Sequence, residues 1–400
     1  MKEKQQHQRG YIWRVGKSWF ARWYREEYET DAGGERQIVR KQHAEKLCEY
    51  GDRYRAKRDV QPLLDAKLLT ANEGRDRPES TLSVAAYGED HFLPYAEKEL
   101  KASTAHGYKN IFRIYLKPRL TNIALRDFRC VDATNLLAAL HQERALSKKS
   151  LRHCKSLLGS IFTFAKRSGV IDGMNPIADA GIPRGAEASK GTHAYTPEEM
   201  LAMLDSFEGI AKTAIALLYF CGLRPGEARA ARWEDYDSKT LEVRASMWRT
   251  HLTTTKTLES VGQVPISEKL RDILAESRRE SGFILAGPSG RPVNLANLAR
   301  RTIRPALARC AKCHQEKKEH DDLDHEFKKL PEWRGFYACR RGLATLATSI
   351  DSKLAAKSLL RHSNIATTEQ FYIKSVDKDA VRAMATIDAV FQKSADALPN

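Results

Sequence analysis

No apolar run approaches the roughly 18 residues that a membrane-spanning helix needs, and the mean hydropathy is −0.54. Residues 1–7 are polar, without the apolar stretch of a secretory signal. Cysteine is sparse. Seven residues, Cys48, Cys130, Cys154, Cys221, Cys310, Cys313 and Cys339, form an odd and scattered set rather than a disulfide framework. These absences predict a cytoplasmic protein with mostly reduced thiols and no membrane partner. Fourteen prolines and 23 glycines in 400 residues are too few for a collagen-like or low-complexity chain. No internal repeat is visible. Acidic residues are also short, at 51 against 67 Lys and Arg, which leaves a formal charge of +16. A basic chain of this kind meets a polyanion or presents a solvated basic surface. With 42% hydrophobic residues it can build cores, and its length suits two or three domains.

The pattern predicts a mainly α fold with small β-sheets (α+β). Tyr11–Val15 and Trp19–Tyr24 alternate as strands around a Gly16-Lys17 turn, Gln37–Val39 suits a third strand, and residues 41–58 read as helix. This gives a small three-stranded sheet module within residues 1–70. Arg14, Arg22 and Arg25, interleaved with aromatics, are candidates for touching phosphate. Polar residues 71–80 read as a linker. Residues 80–180 form a helical domain. Between 101 and 170 there are 14 Lys and Arg against three Asp and Glu, an excess suited to phosphate binding through counterion release. Lys109, Arg113, Lys148, Lys149, Arg152 and Lys155 are its phosphate-binding candidates.

Residues 176–194 read as a second linker. A third domain, 190–385, opens on a capping box at Thr196-Pro197-Glu198-Glu199. It continues as helices, a strand pair near 240–248 and 261–267, and more helices, before a tail at 386–400. Four features in this domain belong together. Arg224 lies between Gly222 and Pro225, where a helix ends and another restarts. Lys256 sits in a polar turn between strands. Tyr337 and Arg340 are three apart on one helix. His362 precedes Tyr372 by ten residues across a Ser-Asn turn. A separate cluster, Cys310-x-x-Cys313 followed by His320 and His325, has the spacing of tetrahedral zinc ligation, with His314 as a spare. Cys310–His314 also spells a haem-attachment motif, which would require export.

The ordered set Gly222-Leu-Arg-Pro-Gly-Glu227, Lys256-Thr257-x-x-Ser260, Arg340-Arg341 and Arg361-His-Ser-Asn-Ile-x-Thr-Thr368 resembles the tyrosine recombinase (phage integrase) family, across roughly residues 80–385. The resemblance implies a helical core-binding (SAM-like) domain and a mixed α/β catalytic domain that clamp DNA, preceded by an arm-binding sheet module. It implies that a tyrosine, here Tyr372, attacks a DNA phosphodiester to form a 3′-phosphotyrosyl bond and release a 5′-hydroxyl. The ester keeps the bond energy, so catalysis requires no cofactor; a zinc at the Cys-His cluster would be structural. Arg224 and Arg340 would hold the non-bridging oxygens, Lys256 would protonate the leaving oxygen, and His362 would hydrogen-bond the phosphate. Two departures stand out. Tyr337 occupies the place of a usual histidine, and Phe371 stands where the nucleophile is commonest, one residue before Tyr372.

The implied function is site-specific recombination that integrates or excises a prophage or other mobile element. The implied partners are double-stranded DNA sites, three further copies in a tetramer on DNA, and a directionality factor. The implied location is the nucleoid. The amphipathic stretch from Ala383 suits docking on a neighbouring copy or on its own chain. Two other readings share these residues: a type IB topoisomerase-like relaxing enzyme, and a catalytically weak architectural DNA-binding relative.

Overall fold

The computed structural model describes residues 8–361, except 32, 73–76, 189–190, 255–261, 311, 318–319, 321–324, 328–329 and 351–352. The fold is mainly helical with small sheets. The chain divides into two compact units, residues 1–190 and 191–400.

The first unit begins with an antiparallel sheet in the order β1 (Tyr11–Val15), β2 (Ser18–Thr30) and β3 (Arg36–Glu49). Val15 pairs with Ser18, so Gly16-Lys17 is a two-residue turn, and Gly16 takes the positive φ of +55° that such a turn asks for. Alternation on β1 and β2 puts Ile12, Trp19, Ala21 and Trp23 on one buried face. Helix α1 (Lys57–Asn72) covers that face with Val60, Leu64 and Leu68.

The expected helix over 41–58 is corrected by the structure. Residues 41–49 continue β3, and the helix starts at Lys57. The charged run pairs across strands. Lys41 lies 3.1 Å from Glu29, and His43 lies 3.0 Å from Glu27. None of the residues of β3 is buried, so the strand lacks the apolar alternation that would have marked it.

The sheet is tied to the helices that follow. Arg126 donates to Glu27 at 2.8 Å, and the Tyr28 amide donates to Thr81 Oγ1 at 2.9 Å. Those helices include α2 (Leu93–Glu99), α3 (Ala102–Ile111), α4 (Cys130–Arg144) and α5 (Lys148–Arg167). Ser147 caps α5, and Leu151, Cys154, Leu157, Leu158, Ile161, Phe162 and Ala165 form its buried stripe.

The second unit opens at α6 (Pro197–Asp205), where the capping box forms in full. The Glu199 amide donates to Thr196 Oγ1 at 3.2 Å, and the Thr196 amide donates to Glu199 Oε2 at 2.9 Å. Next come α7 (Gly209–Phe220), apolar almost all round and buried accordingly, and α8 (Pro225–Ala230). The single strand pair expected near 240–267 is corrected to two. β4 (Thr240–Val243) pairs with β7 (Gly262–Pro265), while β5 (Ala245–Trp248) pairs with β6 (His251–Thr254). A two-residue turn with Arg249 at φ +52° closes the second pair. Further described helices of the unit include α9 (Glu268–Ala275), α10 (Phe336–Ile350) and α11 (Lys353–Leu360).

Candidate active site

The site is built around the end of α7. The helix stops at Cys221, and Gly222 turns the chain with φ +56°. A Cβ on Gly222 would lie 2.8 Å from Leu360 Cδ2 and 2.9 Å from Leu343 Cδ2, so both conformation and space require glycine. Arg224 then caps α8, with Pro225 at the first helical position. Glu227, three residues on, reaches back. It accepts from the Arg224 amide at 3.0 Å and from Arg224 Nη1 at 2.7 Å. This carboxylate is 2% exposed, while the Arg224 side chain keeps 23%. The guanidinium is therefore oriented from one edge by a buried anion and retains access to solvent.

Helix α10 carries Tyr337 in its first turn and Arg340 one turn later. Tyr337 is 50% exposed and Arg340 is 0% exposed. Arg340 donates through Nη1 to the Gly222 carbonyl and through Nη2 to the Leu360 carbonyl at 2.5 Å. Its fork thus joins the turn before Arg224 to the end of α11. At Gly342 a Cβ would lie 2.4 Å from the Tyr195 carbonyl, and Arg341 Nε donates to the His193 carbonyl at 2.7 Å. Those contacts set the position of the helix against residues 193–195.

Two participants carried no role in the sequence reading. Arg361 donates from Nη2 to Glu227 Oε2 at 2.7 Å, so one carboxylate holds both Arg224 and Arg361. The Arg361 side chain is 7% exposed, its backbone sits at φ +51°, and its Nε and Nη1 have no hydrogen-bond partner among the described residues. Burial lowers its pKa below the ordinary guanidinium value, and Glu227 acts against that shift. Glu227 had a readable signal, the i, i+3 spacing of a capping box from Arg224. Arg361 had none beyond its place before His362.

Three guanidinium groups with one carboxylate among them make a cationic site in a largely buried setting, where charge acts strongly on an anion. The nearby thiols offer no nucleophile. Burial pushes Cys221 and Cys339 both up to about 12, and Tyr219 up to about 12 as well. The proposed proton donor Lys256, the proposed phosphate partner His362 and the proposed nucleophile Tyr372 lie outside the described residues.

The basic candidates of the first unit fall into two groups. Arg113, Lys148, Lys149 and Arg152 are exposed, and Lys109 is exposed with a salt bridge to Glu97 at 2.7 Å. Arg14 stacks over Tyr50 at 4.5 Å, and Arg22 stacks over Tyr11 at 4.6 Å, which displays both cations beside aromatic faces on the sheet. Lys155 differs, because its Nζ donates to the Ala178 and Ala180 carbonyls at 3.0 and 2.7 Å and so anchors the chain after α5. Arg152, Lys155 and Arg167 line a cleft of about 610 Å³ together with Tyr95 and Tyr108. In the second unit, one ligand atom from each of Cys310, Cys313, His320 and His325 falls within 4.8 Å of the others, and His314 is outside that group.

No protein-family model matches the chain. In sequence it is similar to a tyrosine recombinase XerC-like protein of Caldanaerobacter subterraneus subsp. tengcongensis, 24% identical over 331 residues, which span 73% of this chain and 79% of that protein. It is also similar to the ICEBs1 integrase of Bacillus subtilis, 28% identical over 141 residues, or 33% of this chain and 38% of that one. In structure it is similar to the Tn1549 transposon integrase in complex with transposon right end DNA, with TM-score 0.61, 20% identity, and coverage of 77% of this chain and 100% of that one. A lambda integrase tetramer bound to a Holliday junction gives TM-score 0.54 and 17% identity, over 94% of this chain and 99% of that one. These structural likenesses are likenesses of fold, and the lambda match extends over most of both units.

Proposed function

We propose that this chain, a member of the tyrosine recombinase and integrase family, is a site-specific DNA recombinase that cuts and rejoins duplex DNA for a mobile element. The Tyr372 hydroxyl attacks the scissile phosphorus. A Tyr–O–P bond forms, the bond to the 5′-oxygen breaks, and the tyrosine proton passes to water as the nucleophile attacks. Lys256 gives its own ammonium proton to the departing oxygen. The 3′-phosphotyrosyl ester retains the bond energy, so rejoining is the same step run backwards with a new 5′-hydroxyl.

The observation that carries this reading is the shared grip of Glu227 on Arg224 and Arg361, with Arg340 tying together the chain just before each of them. Arg224 is the fork set to hold the non-bridging oxygens as charge builds on them. Arg340 fixes the two segments that carry Arg224 and Arg361, and it reaches a phosphate by exchanging a carbonyl bond for a phosphate bond when DNA arrives. Tyr337 presents a phenol that donates to phosphate and is a weak base near neutral pH. His362 serves as a hydrogen-bond partner to the phosphate.

Duplex DNA is the substrate, bound through the basic residues of α5 and its neighbours. Strand exchange between two duplexes uses four nucleophiles, so four copies assemble on DNA, and a directionality factor sets integration against excision. No helix among the described residues is long and apolar enough to cross a membrane.

A duplex nicked beside the cleavage position, carrying the repeat shared by the two ends of the element, tests the proposal. The protein is expected to become covalently attached to that DNA and not to an unrelated duplex. Attachment to any sequence would favour a topoisomerase-like enzyme. Tight binding without attachment would favour an architectural role.

A further inference from the structure

We propose that Cys310, Cys313, His320 and His325 bind one structural zinc ion, which fixes the path of the chain into α10. The segment from 311 to 326 has only Ala311 and Leu323 as aliphatic residues, amid Glu, Lys, Asp and His. Such a sequence has almost no apolar surface with which to hold itself together. Yet Cys310 is 0% exposed and His320 is 5% exposed. The Nε2 atom of His320 is buried with no hydrogen-bond partner among the described residues. A buried polar side chain of this kind needs a partner, and a cation at the centre of the cluster supplies one for the group.

The local backbone brings the ligands together. His314 takes φ +59° directly after Cys313, and its amide donates to the Cys310 carbonyl at 3.0 Å. The Cys310 amide in turn donates to the Gln315 carbonyl at 2.9 Å. This tight loop sets both sulfurs into one cluster. The His320 ring stands edge-on to His325, with centroids 4.7 Å apart, and edge-on to Phe327 at 5.1 Å, which limits its rotation.

The donor types, with one of the distances, point to the ion. Zinc–sulfur bonds of about 2.3 Å and zinc–nitrogen bonds of about 2.0–2.1 Å place neighbouring ligand atoms of a tetrahedron roughly 3.3–3.8 Å apart. Cys310 Sγ lies 3.5 Å from His325 Nε2, and all four ligand atoms fall within 4.8 Å. Two thiolates and two imidazoles suit zinc by softness and geometry. Binding releases the two thiol protons and leaves the site neutral. Four protein ligands fill the tetrahedron and leave no position for water, so the ion is structural and takes no part in phosphoryl transfer.

The site lies between two anchors on the core of the second unit. Leu307, three residues before Cys310, is buried in that core, as is Leu330, while Trp333 and Phe336 pack against it. Tyr337 and Arg340 follow at once. The zinc therefore closes the charged segment into a small unit between Leu307 and Leu330 and fixes where α10 begins.

Elemental analysis of the full chain, purified without chelator, is expected to find about one zinc per chain. Cys310→Ser and His325→Ala should lose the metal, and His314→Ala should keep it. Cobalt should replace zinc and give the visible ligand-field bands of a tetrahedral S2N2 site. Should the cysteine variants fail to fold, a mercurial thiol reagent on the folded wild-type protein should release the zinc as two thiols are titrated. Wild-type protein with less than about a tenth of an equivalent of zinc that also fails to take up cobalt, zinc retained in Cys310→Ser or after thiol titration, or a Cys310–Cys313 disulfide in the native protein would each overturn the site. None of these measurements reads recombination, so the site stands or falls apart from the proposed activity.

Discussion

Arg224 is a side chain whose role depends on what surrounds it. Alone in the sequence it reads equally well as a structural residue capping the preceding helix. In the structure it stands instead at the N-cap of α8, held by Glu227, and it still keeps an exposed edge. Replacing it with Lys keeps the charge and loses the planar fork. Cleavage of the nicked duplex is expected to slow by about 10²–10³, with DNA binding little changed; near-normal cleavage would assign Arg224 to the fold alone. Glu227→Gln leaves Arg224 and Arg361 without their shared anion in a buried place. Breaking one partner of a buried ion pair costs about 3–5 kcal/mol, so a clear fall in melting temperature is expected by calorimetry, and an unchanged one would count against the shared grip. Glu227 was legible from its spacing to Arg224. Arg361 was not, because its importance comes from a left-handed backbone and a burial that only the packing of α10 and α11 creates. The Cys-His cluster lies at the other extreme, since its spacing alone picked out four residues whose side chains converge.

At the scale of elements, apolar periodicity was a sound guide and charge patterning was not. The capping box at Thr196 and the stripe of α5 were readable residue by residue. Residues 41–49 read as helix because their charges recur at short intervals, yet those charges pair across β2 and β3. Glu27 is the centre of that pairing. Burial raises its pKa, but the hydrogen bond and charge of Arg126, with His43 and Lys41, outweigh burial and hold it below the usual carboxylate value. Its folded pKa is depressed. The stability it contributes is therefore present above the unfolded value and lost as pH falls through the folded one. Acid titration of the wild-type protein should show protection of β2 amides failing in that range, as read by hydrogen exchange. In Glu27→Gln that acid step should be missing, and an unaltered step would exclude Glu27 as its source.

Across the whole molecule, the excess of positive charge and the ordered motifs pointed to DNA, while the arrangement of the parts was less legible. The sequence reading placed a sheet module and a helical domain within residues 1–190; in the first unit Arg126 to Glu27 and Tyr28 to Thr81 tie the sheet to the helices, contacts that reading did not contain. Such ties join residues far apart in the chain and leave no local pattern. Exposed Lys148, Lys149 and Arg152 begin α5. Replacing all three with Ala in the full chain should weaken DNA binding and reduce the salt slope of log K by about 0.9 for each phosphate no longer neutralised. A slope unchanged by the triple substitution would place the DNA on another face. Lys155→Ala is expected to loosen residues 178–180 instead, with little effect on that slope.

The central claim is that Tyr372 is the residue that joins this protein to DNA. Peptide mapping by mass spectrometry of the adduct trapped on a nicked duplex tests it directly. The account predicts a nucleotide remnant on the peptide containing Tyr372, attached through its phenolic oxygen, and no adduct from Tyr372→Phe. A remnant on Tyr337 or any other residue, or an adduct that persists in Tyr372→Phe, would contradict it.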